Sequence, residues 1–111
     1  MLVQFTVHSM DETYLSKDVA QMMEILEEEG VKYCLSPLST GVEGSWNEVM
    51  SAIHRCHETM LKRHARVITT ITVDDRREPR HHLDEIVPVI EHELGRKAKQ
   101  IGKLQCVRDL Q

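Results

Sequence analysis

Within eight residues, Ser39-Thr40-Gly41-Val42-Glu43-Gly44-Ser45-Trp46, the chain concentrates hydroxyls, a carboxylate, two glycines and its only tryptophan. Glycine admits close approach of a backbone or a ligand, an indole offers a flat face, and a carboxylate accepts hydrogen bonds from an amine. Such a set suits a planar, nitrogen-rich ligand. The same residues also fit a purely structural role, with Gly41 and Gly44 marking a turn or bulge and Trp46 stapling the start of a helix.

Other reactive residue types are spread more thinly. Seven histidines raise the question of a metal, and His54-Arg55-Cys56-His57 has superficially suitable spacing. On a helix His54 and His57 are neighbours while Cys56 points elsewhere, so the run does not make a tetrahedral site, and no metal is expected. His57 reads instead as a hydrogen-bonded, partly buried side chain, and His81 and His82 as solvated loop residues. Asp74-Asp75-Arg76-Arg77 reads as a ligand clamp, a salt-bridge network between subunits, or a solvated strand end. Gly-x-Ser-x-Gly, phosphate-loop and Gly-x-Gly-x-x-Gly patterns are missing from the sequence, and Cys34, Cys56 and Ser45 have no evident base partner. The expectation is therefore no catalysis and no cofactor.

The elements that must position these residues follow from periodicity. Leu2 to His8 alternate, with Val3, Phe5 and Val7 on one side and Leu2, Gln4, Thr6 and His8 on the other, which predicts a half-buried strand. Leu15, Val19, Met22, Met23 and Leu26 recur at helical spacing, with Thr13 or Ser16 to cap and Gly30 to terminate. Residues 31–45 predict two short strands interrupted at Pro37. A second helix is expected from Trp46 or Asn47 to His64, with Val49, Met50, Ile53, Cys56, Met60 and Leu61 on its apolar stripe and Ser45 as N-cap beside Glu48. Arg66 to Val73 is rich in β-branched residues and predicts a fourth strand. Leu83, Ile86, Val87, Ile90 and Leu94 suggest a third helix ended by Gly95, in which Pro88 either produces a kink or moves the start towards Ile86.

Strand, helix, strand, strand, helix, strand is the order of the ferredoxin-like β-α-β-β-α-β sandwich, an α+β fold, here with an additional C-terminal helix. Two helices cover one sheet face. The other would expose Leu2, Gln4, Thr6, His8, Ile68, Thr70 and Thr72, which is semi-polar rather than charged, and pairing of that face with another subunit is expected.

At 111 residues the chain supports one modest core. Residues 1–95 are read as the domain and 96–111 as a basic tail or helical extension. The first part carries 9 Lys and Arg against 17 Asp and Glu, and the second 5 against 1. An acidic body without a basic stripe, and strands almost without aromatics, argue against nucleic acid as a partner. No run is apolar enough for a membrane span, and Met1 to Val7 do not resemble a secretory leader, so a cytoplasmic location without membrane contact is expected. Three widely spaced cysteines, Cys34, Cys56 and Cys106, are read as reduced thiols.

Three stretches resemble the thiamine-binding, YkoF-like family. Glu28-Glu29-Gly30-Val31-Lys32-Tyr33 is similar to the end of its first helix. Thr40 to Met50 matches a Thr-x-x-Glu-Gly-x-Trp-x-Glu-Val-Met signature, and Arg66-Val67 through Thr69-Thr70 to Asp74-Asp75-Arg76-Arg77 is similar to its last strand. The resemblance spans about residues 3–94 and implies a homotetramer built as a dimer of dimers with sheet faces packed together. It also implies a pocket for thiamine or its hydroxymethylpyrimidine moiety, with Thr40, Glu43 and Trp46 as ligand-binding residues and Thr6 and Thr70 as further wall residues. Two departures stand out: the loop His8-Ser9-Met10-Asp11-Glu12-Thr13 lacks the glycine common in the family, and Pro88 sits where an ordinary helix former is expected. The alternative is a structural homo-oligomer without a bound metabolite.

Overall fold

The computed structural model describes residues 1–10, 16–78, 85–98 and 106–107. The elements are β1 (Leu2–Ser9), α1 (Ser16–Glu29), β2 (Lys32–Leu35), β3 (Thr40–Glu43), α2 (Trp46–Arg63), β4 (Val67–Asp74), α3 (Ile86–Leu94) and β5 (Cys106–Val107). The sheet is antiparallel in the order β4-β1-β3-β2-β5, whose first four strands have the ferredoxin-like arrangement. The expected α+β fold is the observed one.

Alternation along β1 sends Val3, Phe5 and Val7 under the helices, where each is buried. Val42 of β3 lies opposite Val3 and joins them. From above, α1 contributes Met22, Ile25 and Leu26, and α2 contributes Val49, Ala52, Ile53, Cys56 and Met60. Ile25 extends the expected stripe of α1, because a helix lying across a sheet buries more than one seam. Leu61, placed on the stripe of α2, is exposed.

The helix ends show how local chemistry sets the boundaries. Ser45 caps α2 as expected. Its hydroxyl accepts from the Glu48 N–H, and the Glu48 carboxylate accepts from the Ser45 N–H, both at 3.3 Å. The hydroxyl contact and then the N–H contact hold the Glu48 carboxyl below its ordinary range. Gly95 closes α3 with φ +76, a conformation that favours glycine. Pro88 lies in the first turn of α3, where a missing N–H leaves no helical bond unmade, so the helix begins at Ile86. Leu15, Thr13, Leu83, His81, His82 and most of the loop after β1 lie outside the described residues, as does most of the segment 96–111.

A second tie joins the helices at one end. Asp18, in the first turn of α1, and His64, just after α2, are both buried, with Oδ2 and Nε2 2.8 Å apart. Arg63 approaches the other oxygen of Asp18 at 2.9 Å and donates to Gln21 at 2.8 Å. His57 also behaves as read: it is partly buried and lies 2.6 Å from the Thr69 hydroxyl of β4.

Candidate functional site

The ladder between β1 and β3 runs from the Leu2–Glu43 pair to the Phe5–Thr40 pair and stops there. From Thr6 onward β1 therefore has no β3 residue beside it. A cavity of about 200 Å³ occupies that end of the molecule. Its walls come from Phe5, Thr6, Val7 and His8 of β1, from Val19 and Met22 of α1, and from residues 35–40 of the β2–β3 hairpin. The lining is mainly apolar, with Thr6, Ser36, Ser39, Thr40 and His8 as its polar members.

The hairpin is shaped by its own hydrogen bonds. The Ser36 hydroxyl donates to the Ser39 carbonyl at 2.8 Å, and the Ser36 N–H reaches the same oxygen at 2.9 Å. Pro37 and Leu38 are thereby held out at the tip, and Leu38 is 88% exposed. A large apolar side chain held in water at the rim of a cavity is the feature most easily covered by a bound ring or by another molecule.

The residues singled out from sequence separate into groups. Thr40 is buried on the helix side opposite Phe5, and Thr6 belongs to the same cavity wall. Thr70 stands directly opposite Thr6 across the β1–β4 ladder, on the uncovered sheet face. Glu43 lies at the far end of β3 on that same face, beside Leu2 and Lys32, with the Lys32 ammonium 3.3 Å from its carboxylate. Trp46 opens α2 with 58% of its surface exposed, beyond Glu43 and away from the hairpin. The structure thus brings Thr6 together with Thr40 and with Thr70, and sets Glu43 and Trp46 apart from them. Thr40 and Glu43 are three positions apart on one strand, an odd spacing, so their side chains take opposite faces.

Ser36 and Leu38 escaped the sequence reading, while Ser39 belonged to the segment singled out and His8 was read only as part of the uncovered sheet face. The available signal was the pair of serines flanking Pro37-Leu38, which is turn chemistry with a surplus of apolar surface. Proximity to Val19 and Met22 carried no signal, since it depends on α1 crossing β1 at that height. Among the described residues no group of three or more His, Cys, Asp or Glu side chains is arranged to hold a metal, and no helix is long and apolar enough to cross a membrane.

Comparison with known proteins gives the family and the fold. The family described as thiamine-binding protein matches residues 3–91. The chain belongs to that family. Among its relatives, the UPF0045 protein YqgV of Bacillus subtilis is 32% identical over 79 residues, covering 69% of this chain and 76% of the relative. A UPF0045 protein of Methanothermobacter thermautotrophicus is 33% identical over 84 residues, 74% of this chain and 85% of the relative. The fold matches the crystal structure of protein MJ1052 from Methanocaldococcus jannaschii with a TM-score of 0.73 at 20% identity, over 80% of this chain and 93% of that one. A Thermotoga maritima protein named as a candidate for thiamine biosynthesis or salvage matches with a TM-score of 0.67 at 18% identity, over 79% and 96%. Membership of the thiamine-binding family gives the chain a thiamine-related role; the likeness to the solved structures speaks for the fold.

Proposed function

We propose that this thiamine-binding family member is a non-catalytic, cytoplasmic binding protein for thiamine or its hydroxymethylpyrimidine moiety, acting as a homo-oligomer. The observation that supports this most directly is the mainly apolar cavity at the open edge of β1. An aminopyrimidine is flat, with apolar faces and a hydrogen-bonding rim. In this reading its faces lie against Phe5, Val7, Val19 and Met22, while its rim meets Thr40, Ser39 and main-chain groups of Thr6 to His8. A cavity of about 200 Å³ is smaller than the roughly 300–1,000 Å³ of drug-sized ligand sites, which favours one ring over both rings of the vitamin. Thr6 orients the ligand and Thr70 supports Thr6 from the neighbouring strand. Glu43 and Trp46 take part only where a second copy closes over the uncovered face, with the Glu43 carboxylate accepting from the amino group.

Isothermal titration of the purified chain with hydroxymethylpyrimidine and with thiamine tests this. Saturable heat with the pyrimidine is expected, about fivefold weaker in Thr40→Val, where one hydrogen bond worth about 1 kcal/mol is lost. Glu43→Gln and Trp46→Phe separate the two parts of the site, and leave affinity unchanged if the cavity alone holds the ring. Heat is the preferred readout, because the indole of Trp46 lies away from the cavity. Absence of saturable heat at millimolar ligand overturns the reading.

The second reading is a structural homo-oligomer without a metabolite. It is favoured by α3, whose Val89, Ile90 and Leu94 are 37%, 51% and 45% exposed. It predicts that Thr70→Arg lowers the mass seen by light scattering while no ligand produces heat.

A further inference from the structure

A two-residue strand holds its place in a sheet weakly, since even a full two-stranded hairpin is marginal in water. β5 is such a strand: it closes the β2 edge with two register pairs, Val107 opposite Tyr33 and Cys106 opposite Cys34. The second pair supplies what hydrogen bonding lacks. Two of the chain's three cysteines, 72 positions apart in sequence, stand directly opposite each other across neighbouring antiparallel strands.

Opposed residues in an antiparallel ladder have Cα atoms about 4.5 or 5.5 Å apart, according to which of the two alternating kinds of pair they form, and a disulfide spans about 4.4–6.8 Å. Either kind of pair is within reach. Opposed Cβ atoms lie about 4.5–5.5 Å apart against about 3.5–4.5 Å in a disulfide, so closure draws the two strands slightly together. A short strand at a sheet edge follows that pull more readily than a central one. Tyr33 is buried under the helices, so alternation sets Cys34 on the uncovered sheet face. Cys34 is half-buried and reduced, and on its other side it faces Gly41 of β3, which puts no side chain beside it. The third thiol does not compete, because Cys56 is fully buried in the core with its Sγ 3.8 Å from the Met22 carbonyl.

We propose that Cys34 and Cys106 form a reversible intramolecular disulfide that latches β5 onto β2 when low-molecular-weight disulfides accumulate. The chemistry is two successive exchanges. One cysteine thiolate attacks a sulfur of glutathione disulfide, whose S–S bond breaks to release one glutathione thiolate. The second cysteine thiolate then attacks the mixed disulfide and expels the other. Two protein thiols are oxidised to one disulfide, glutathione disulfide is reduced to two glutathione molecules, and the two thiol protons end on the departing thiolates. In a reducing compartment the pair stays as thiols, and disulfides that form there are transient and redox-sensing. Closing so long a loop restricts the unfolded chain, so the oxidised form is the more stable one. Cys34 directly precedes Leu35, a wall residue of the cavity, so the latch fixes the strand from which that wall extends. Latching requires no ligand in the cavity.

The full chain equilibrated with glutathione disulfide, and separately with dithiothreitol, tests the latch once remaining thiols are blocked with iodoacetamide in urea. Peptide mass analysis of the oxidised sample is expected to show Cys34 linked to Cys106 and Cys56 alkylated, and a non-reducing gel to show a single-chain band. The oxidised form is expected to melt about 5 °C or more above the reduced one, and dithiothreitol to reverse every change. Cys34→Ser and Cys106→Ser are each expected to lose the linkage and the rise in Tm, whereas Cys56→Val keeps both. In the unaltered chain, glutathione adducts without the linkage, a bridge between two copies in its place, or a linkage that leaves Tm unchanged would each overturn the latch.

Discussion

Cys56 shows how one residue's environment is set by packing from both helices. Its side chain is buried in the core with Sγ 3.8 Å from the Met22 carbonyl, and burial pushes the thiol up to about 12 against the influence of Arg55. A thiol held neutral is a poor nucleophile. Iodoacetamide at neutral pH is therefore expected to spare Cys56 in the folded protein and to label it on denaturation, as read by peptide mass. The sign of the pH dependence follows. With the folded value raised above the unfolded one, the stability from this group is complete below about pH 9 and is lost as pH rises towards 12. Tyr33 acts in the same direction, raised by burial and then by Glu27. Cys56→Val is expected to flatten part of the alkaline fall in urea midpoint; an identical fall in both proteins would contradict the assignment.

At the scale of elements, the ends of α1 and α2 are held by a buried polar tie between residues 46 positions apart, Asp18 and His64. Removing one partner of a buried hydrogen-bonded pair leaves the other unsatisfied, which typically costs about 1–3 kcal/mol. Asp18→Ala is expected to lower unfolding free energy by about that amount in urea titration, with His64→Ala comparable and Arg63→Ala much smaller because its side chain is 44% exposed. At the opposite end of α2, Ser45→Ala removes the capping hydroxyl and is expected to cost about 1 kcal/mol. The close approach at Gly44, where an added Cβ would lie 3.2 Å from a Val49 methyl, joins β3 tightly to α2. Gly44→Val is expected to destabilise the chain by about 1–3 kcal/mol through overpacking, measured in the same titration.

At the scale of the whole molecule, the relevant feature is the apolar surface left uncovered. The uncovered sheet face and α3 keep apolar side chains exposed on a 12.9 kDa chain, and the proposed homo-oligomer rests on that surface. Light scattering is expected to give a multiple of that mass, and Leu94→Glu on α3 to lower it if that helix is covered in the assembly.

Period-2 alternation in β1 and β4, helical spacing in α1 and α2, the Ser45–Glu48 cap and the Gly95 terminus were legible in the sequence, because each depends on neighbours within about a turn or a strand. The same alternation already separated Thr40 from Glu43, although their nearness along the chain suggested one cluster. What only the tertiary structure decided were relations set by how elements cross: the height at which α1 passes β1, the early end of the β1–β3 ladder, the seating of His64 on Asp18, and the laying of β5 beside β2. Long-range contacts of this kind arise from packing whole surfaces against one another, and no short stretch of residues encodes where two such surfaces will meet.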